Sequence, residues 1–315
     1  MDDRAPLAGQ IKKKRYARNV IQNNLEMYSM FIPVAVLIFI FCYVPIYGVV
    51  IAFQDYMPGS PFLGEGVKWV GLKHFANFIN GRYFGRLLKN TLVLSGMNLF
   101  LGFWVPIVFS LLLNEVLHLR YKRFVQTISY LPYFISMVVV SGMVISFIDT
   151  NGIINNLLAV FGVLPSNMRL NPEAFPWVYT ITNIWKGFGF GSILYLSTMS
   201  SIDPNLYEAA RIDGADRLQQ ALRVTLPGLK NIIAINLIMA VGNILATNTE
   251  LILLLYTPAT YDTADVIGTY VYRMGIEKGQ YAATTAIGLF MSVIGFSLTF
   301  FANRVSNRLT NYGLW

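Results

Sequence analysis

The hydrophobic positions of this chain are gathered into long runs separated by shorter polar stretches. A bilayer core takes roughly 20 residues of helix to cross, and six runs reach that length, at residues 30–52, 90–113, 127–148, 177–200, 231–256 and 281–302. The pattern predicts an all-α membrane protein of about six spanning helices. They form one domain over residues 30–302, behind a leader at 1–29 and before a tail at 303–315. The first run is too long for the apolar core of a cleaved signal peptide and is expected to stay as the first helix.

Composition supports lipid as the solvent: 55% of the 315 residues are hydrophobic and 13% charged, where soluble domains carry about 25% charged residues. The net charge of +8 is explained by basic cytoplasmic loops rather than by nucleic acid. Arg4, Lys12, Lys13, Lys14, Arg15 and Arg18 mark the leader, Arg120, Lys122 and Arg123 the second loop, and Arg211, Arg217, Arg223 and Lys230 the fourth. Arg304 and Arg308 mark the tail. Both termini are therefore expected in the cytoplasm. The first outer loop departs from the rule, carrying Lys68, Lys73, Arg82, Arg86 and Lys89.

Two outer segments promise structure of their own. Residues 54–89 mix prolines and glycines with Trp69 and Phe75, which predicts turns and short helices over the outer mouth. Residues 149–176 hold a short apolar run at 153–163 that suits a re-entrant or interfacial helix. Pro45 and Pro106 inside spans predict kinks, and Gly187, Gly189 and Gly191 predict close helix contacts. No repeat relates the two halves, and the single cysteine, Cys42, offers neither an intramolecular disulfide nor a metal cluster.

Catalytic chemistry is missing. The two histidines, His74 and His118, fall on opposite sides of the expected membrane. Gly66 to Lys73 departs from a phosphate loop, because Leu72 separates Gly71 from the lysine and no Ser or Thr follows. The glycines of 187–191 lie in a span without a preceding strand, so they read as packing. Within spans the ionisable residues are Lys186, open to a snorkelling or a substrate-contacting role, and Glu250, which shares a helical spacing with Asn243 and Thr247 and so forms one polar face.

Residues 201–227 carry the most specific local signals. Asp203 is a good N-cap with Pro204 at the first helical position, and Gly214 supplies a stop. Asp216 and Gln219 form a capping box for a second helix that Leu226 and Pro227 end. Leu206, Ala209, Ala210 and Asp213 recur on one face suited to a partner's groove. The alternative is an ordinary connector with a surface pair between Glu208 and Arg211.

Glu208-Ala209-Ala210, Gly214 and the Leu226-Pro227 ending resemble the EAA motif of binding-protein-dependent ABC importer permeases. Trp185-Lys186, Tyr195-Leu196, Ile202-Asp203-Pro204, Tyr207 and Ile212-Asp213-Gly214-Ala215 resemble the carbohydrate branch. The leader, Tyr43-Val44-Pro45 and the stretch from Val70 to Thr91 are similar to the lipoprotein-locus B type of oligosaccharide permease.

The resemblance implies a type I permease in the bacterial cytoplasmic membrane, without an ATPase site of its own. Asp203, Tyr207, Glu208, Ala209, Ala210, Asp213, Gly214 and Ala215 would form the coupling element that docks on an ATPase subunit. Implied partners are a second permease, two ATP-binding subunits, an extracytoplasmic solute-binding protein and an oligosaccharide. This chain would bind no cofactor, with ATP and Mg2+ used by the ATPase. Tyr179, Asn183, Tyr195, Asn243, Thr247 and Glu250 are the candidate sugar contacts, since hydroxyls and aromatic faces suit sugars. The outer basic residues suit either an acidic oligosaccharide, such as a uronate chain, or contact with the binding protein or lipid head groups. The rival readings are a self-contained secondary transporter or channel and, behind it, a membrane-embedded enzyme.

Overall fold

The computed structural model describes residues 24, 27–310 and 313–314. The basic residues of the leader lie outside the described residues. Within the described part the chain is helical, and a single antiparallel bridge between Gln54 and Trp69 is the only extended pairing.

Helix α1 (Met27–Phe53) is apolar, and little of it is covered by the rest of the chain. Such a helix finds its solvent in lipid. It widens over Phe39–Tyr43 and tightens over Val44–Phe53, around Pro45. A proline ring presses on the carbonyl four residues back, here Phe41, inside the widened turn. After the short helix α2 (Lys73–Ile79), α3 (Phe84–Asn114) repeats the device. Its widened turn, Asn98–Gly102, ends at the residue four before Pro106. Both prolines thus coincide with a local change of helical winding.

The expected span at 127–148 is two helices, α4 (Leu119–Phe134) and α5 (Met137–Ile148). Ile135 and Ser136 between them are extended, Pro132 lies in the last turn of α4, and Ser136 caps α5 through its side chain. The break leaves carbonyls at the end of α4 without helical donors. Lys186 Nζ supplies them, donating to Pro132 O at 3.2 Å, Tyr133 O at 2.8 Å and Ile135 O at 2.6 Å. Its charge also lies where the helix dipole is negative. Lys186 thus takes the structural one of its expected roles: it closes a broken helix.

Helix α6 (Ile153–Val160) forms within the apolar run expected at 153–163. Helix α7 (Phe175–Ser200) is 26 residues long, about 39 Å, and packs along α3 and α4. A Cβ at Gly189 would overlap the backbone carbonyl of Ser129, and one at Gly191 would touch Pro106 at 3.4 Å, whereas Gly187 faces open space. Two of the three glycines serve close packing.

Helices α8 (Pro204–Ile212) and α9 (Arg217–Gly228) make the 201–227 segment, and α9 bends by 61° into α10 (Lys230–Gly242). The expected span 231–256 is also broken. Residues 243–248 are irregular before α11 (Thr249–Leu255), with Asn243 closing α10 and the Asn248 side chain capping α11. Asparagine offers the backbone such local alternatives to helix. Short helices α12 (Tyr261–Ala264) and α13 (Ile267–Tyr272) lead to α14 (Tyr281–Thr310), which runs past Ala302 and packs on α10 where Gly242 meets Thr299 and Gly295.

Among the described residues, four stretches are long and apolar enough to cross a membrane, α1, α3, α5 with α6, and α14, and the bent pair α9 and α10 makes a fifth where it is one span. Helix α7 has the length, but Lys186, Asn183 and its hydroxyl and glycine residues leave it less apolar.

Replacing Lys186 by Met keeps the stem and removes the donor for three carbonyls. The purified protein is expected to lose about 2 kcal/mol and to melt at a lower temperature, with Lys186→Arg recovering part of the loss. A Lys186→Met protein that melts with wild type would rule out the capping role.

Candidate functional site

A cavity of about 500 Å3 opens between α3, α7 and the irregular 243–248 segment. Ser95 and Asn98 line it from α3, Tyr179 and Asn183 from α7, and Asn243, Thr247 and Asn248 from the irregular segment. Phe103, Pro106 and Phe188 add apolar surface, and no charged side chain lines it among the described residues. Unwound backbone at membrane depth is tolerated where protein or a wet cavity satisfies it. Asn248 N donates to Tyr179 Oη at 2.9 Å, Asn248 Nδ2 to Asn183 Oδ1 at 3.0 Å, and Asn183 Nδ2 to Tyr179 O at 3.3 Å. The break is thus pinned to α7 and forms one cavity wall.

Four of the six expected sugar contacts, Tyr179, Asn183, Asn243 and Thr247, come together here. Tyr195 does not: it is 5% exposed and packed with Ile107, Met199 and Leu229. Glu250 does not either, because the break removes the helical register that joined it to Asn243 and Thr247; it is exposed in the first turn of α11. Ser95, Asn98 and Asn248 went unread. The signal for Asn98 and Ser95 was polarity inside the second apolar run.

The 201–227 segment builds as its sequence prescribes. Asp203 Oδ1 accepts from Asn205 N at 3.0 Å, Gly214 has φ +78°, and Ala215 N donates to Ala210 O at 2.9 Å across the glycine turn. Asp216 Oδ1 accepts from Gln219 N at 2.7 Å, and Gln219 Oε1 accepts from Asp216 N at 3.1 Å. Tyr207 anchors α8, its hydroxyl 3.0 Å from Thr225 Oγ1. Tyr207 and Ala210 turn toward the chain, while Leu206, Glu208, Ala209, Ile212 and Asp213 are exposed. Ala210 is thus half-buried against its own chain, and Glu208 is exposed beside Leu206, Ala209 and Asp213. Glu208 and Arg211 form no ion pair among the described residues, so Glu208 is open to another protein. Ile212, 86% exposed, is apolar surface that this chain does not cover.

The same segment is wired to the cavity. Helix α7, which carries Tyr179 and Asn183, ends at Ser200, just before α8 begins. On the other side α9 bends into α10, which ends at the irregular wall. Ile202 packs on Gly228 at the base, joining the two strands of the connection.

Away from the cavity, Asp265 is 1% exposed and holds Arg273 at 2.8 Å and Arg86 at 3.2 Å. Arg86 also reaches Asp262 at 3.4 Å. Burial works against the Arg273 charge, but the hydrogen bonds to Asp265 and Tyr256 outweigh it and hold its pKa above the ordinary guanidinium value. Lys68 pairs with Asp55 at 3.4 Å. Of the five anomalous basic residues, Arg86 is thus neutralised within the chain and Lys68 forms an exposed surface pair, while Lys73, Arg82 and Lys89 are exposed outside the ion pairs found among the described residues.

Residues 98–311 match the family described as binding-protein-dependent transport system inner membrane component. The chain is 41% identical over 306 residues to the polygalacturonan/rhamnogalacturonan transport system permease protein YteP of Bacillus subtilis, covering 96% of this chain and 94% of that one. It is 38% identical over 298 residues to protein LplB of the same organism, covering 94% and 92%. Its fold matches, with a TM-score of 0.84 and 41% identity, a chain of a bacterial alginate ABC transporter solved in complex with an alginate pentasaccharide-bound periplasmic protein, covering 94% of this chain and 99% of that one. A family match over most of the chain, on a fold with a polar cavity wired to an exposed helix, places this protein among the inner membrane components of binding-protein-dependent transport systems.

Proposed function

We propose that this chain is the permease subunit of an ATP-driven importer and forms half of the path for an acidic oligosaccharide delivered by an extracytoplasmic binding protein. The observation that carries the reading is the exposed helix α8, joined at one end to α7 and at the other to α9 and α10, whose far ends wall the cavity. The acidic substrate class is supported by relatives named for polygalacturonan and alginate transport. Both polymers are chains of uronate sugars.

In this reading α8 docks in a groove of a separate ATPase subunit, with Leu206, Ala209 and Ile212 as its apolar contacts and Glu208 meeting a basic group. Asp203 and Gly214 fix its two ends, Ala215 and Asp213 carry the turn, and Tyr207 with Ala210 ties it to α9. ATP and Mg2+ act on the ATPase, and this chain binds neither. The closed ATPase dimer binds ATP more tightly than the open one, and that difference is what shifts the pair of permeases. Movement of α8 then reaches both cavity walls. A proton-coupled or cation-coupled carrier, the rival reading, lacks a carboxylate at the cavity among the described residues.

Two outcomes follow. With the chain inserted at wild-type level, Glu208→Lys weakens ATPase association and cuts binding-protein-stimulated hydrolysis in proteoliposomes by roughly tenfold or more; undiminished stimulation would exclude α8 as the docking element. Changing Lys73, Arg82 and Lys89 together to Gln slows uptake of an acidic oligosaccharide about three- to tenfold at low salt and much less at high salt. Equal uptake at both ionic strengths would remove the steering role of these residues.

A further inference from the structure

We infer that Thr225 is the positioning residue of the coupling segment: its hydroxyl holds Tyr207 and so makes α8, α9 and α10 move together. The inference rests on the importer reading and supplies the joint through which α8 reaches the irregular wall of the cavity.

The first observation is how little holds α8 to its own chain. Leu206, Glu208, Ala209, Arg211 and Ile212 are all exposed. Among the described residues, the one side chain of α8 with a hydrogen bond to another helix is that of Tyr207, whose hydroxyl lies 3.0 Å from Thr225 Oγ1 of α9. Ala210 is half-buried but offers only a methyl group, which fixes no angle. A short helix held by a loop at each end and by one bond near its middle is free to swivel once that bond is lost.

The second observation is the winding of α9, which is widened over Ala221–Thr225. The ring of Pro227 presses on the carbonyl four residues back, here Arg223, inside the widened turn. At 3.6 residues per turn, positions five apart point about 140° away from each other; in a widened turn they come back toward one line. Gln220 and Thr225, five apart, are accordingly both buried, and Thr225 Oγ1 lies 3.5 Å from Gln220 O. Gln220 Nε2 donates in turn to Ala215 O at 2.9 Å, in the turn that follows α8. One face of α9 thus holds α8 twice, Thr225 near its middle and Gln220 just past its end. The Leu226-Pro227 pair does not stop α9, which runs on to Gly228; it sets the turn that brings Thr225 round to Tyr207. Widened turns of this kind recur at functional positions of helices. Beyond it α9 bends into α10, and α10 ends at Asn243 on the cavity.

The test uses the assembled importer in proteoliposomes, with Ala246→Cys as the reporter on the cavity and Cys42→Ser removing the native thiol. ATP and vanadate trap the ATPase. Two quantities are then read from one sample: the nucleotide trapped, and the rise in labelling of the reporter by an impermeant thiol reagent added on the outer side. Thr225→Val keeps the shape of the side chain and removes its hydroxyl. It is expected to leave trapping at the wild-type level, because the docking face is intact, and to cut the labelling rise per trapped nucleotide about threefold to fivefold. Thr225→Ser, which keeps the hydroxyl, recovers the rise. Tyr207→Phe gives the same reduction as Thr225→Val, and the double variant goes no further than either. A full rise in Thr225→Val, no recovery in Thr225→Ser, or reductions that multiply in the double variant would each overturn the inference. So would a loss of trapping in step with labelling, which makes Thr225 a support of the docking face instead. All of these leave the importer reading standing. No rise on trapping in the reporter protein with Thr225 intact overturns that reading itself.

Discussion

A peptide group opened in hydrocarbon has no water to turn to, so each break in a membrane helix has to be answered by another part of the protein. This constraint organises the chain. The break at Ile135 and Ser136 is answered by Lys186 of α7. The one at 243–248 is answered by Tyr179 and Asn183 of the same helix. Where α12 gives way to α13, Asn90 Nδ2 donates to Asp262 O and Asp265 O, and Thr91 Oγ1 accepts from Ile267 N. Two continuous helices, α3 and α7, therefore hold the discontinuous ones in place.

That division of labour has a mechanical consequence. Helix α7 braces two breaks, walls the cavity and leads almost without interruption into α8, so force applied at the exposed segment has a rigid route inward. Close approach of α7 to α4 at Gly189, and of α10 to α14 at Gly242, keeps the route free of compressible side chains. The adjoining cavity wall is the irregular segment itself, where hydrogen bonds to α7 replace helical ones. Rigid rods ending at a soft wall are a reasonable construction for a path that opens and closes.

Legibility followed the range of the interactions. The 201–227 segment was readable because its signals are local: Asp203 with Pro204, Gly214, and Asp216 with Gln219 each act within a few residues, and each appears where its chemistry requires it. The cavity was half readable. Polar residues in apolar runs pointed to Tyr179, Asn183, Asn243 and Thr247, but polarity does not give direction, which is why Tyr195 lies instead in an apolar cluster. The break at 243–248 then moved Glu250 out of register. Pro132 and Ser136 held the signal for the other break, yet the donor that makes it tolerable is some 50 residues away. The pairing of Arg86 with Asp265 joins still more distant parts of the chain, and no local pattern announces it.

The central claim is that the exposed helix α8 governs the cavity. It is tested most directly by the rate at which an impermeant thiol reagent, added from the outer side, labels Ala246→Cys in a Cys42→Ser background of the assembled importer. The account predicts that trapping the ATPase with ATP and vanadate raises this rate severalfold and that Glu208→Lys abolishes the rise while leaving the untrapped rate unchanged. A rise of the same size in the Glu208→Lys protein, or none in the unsubstituted coupling helix, would contradict it.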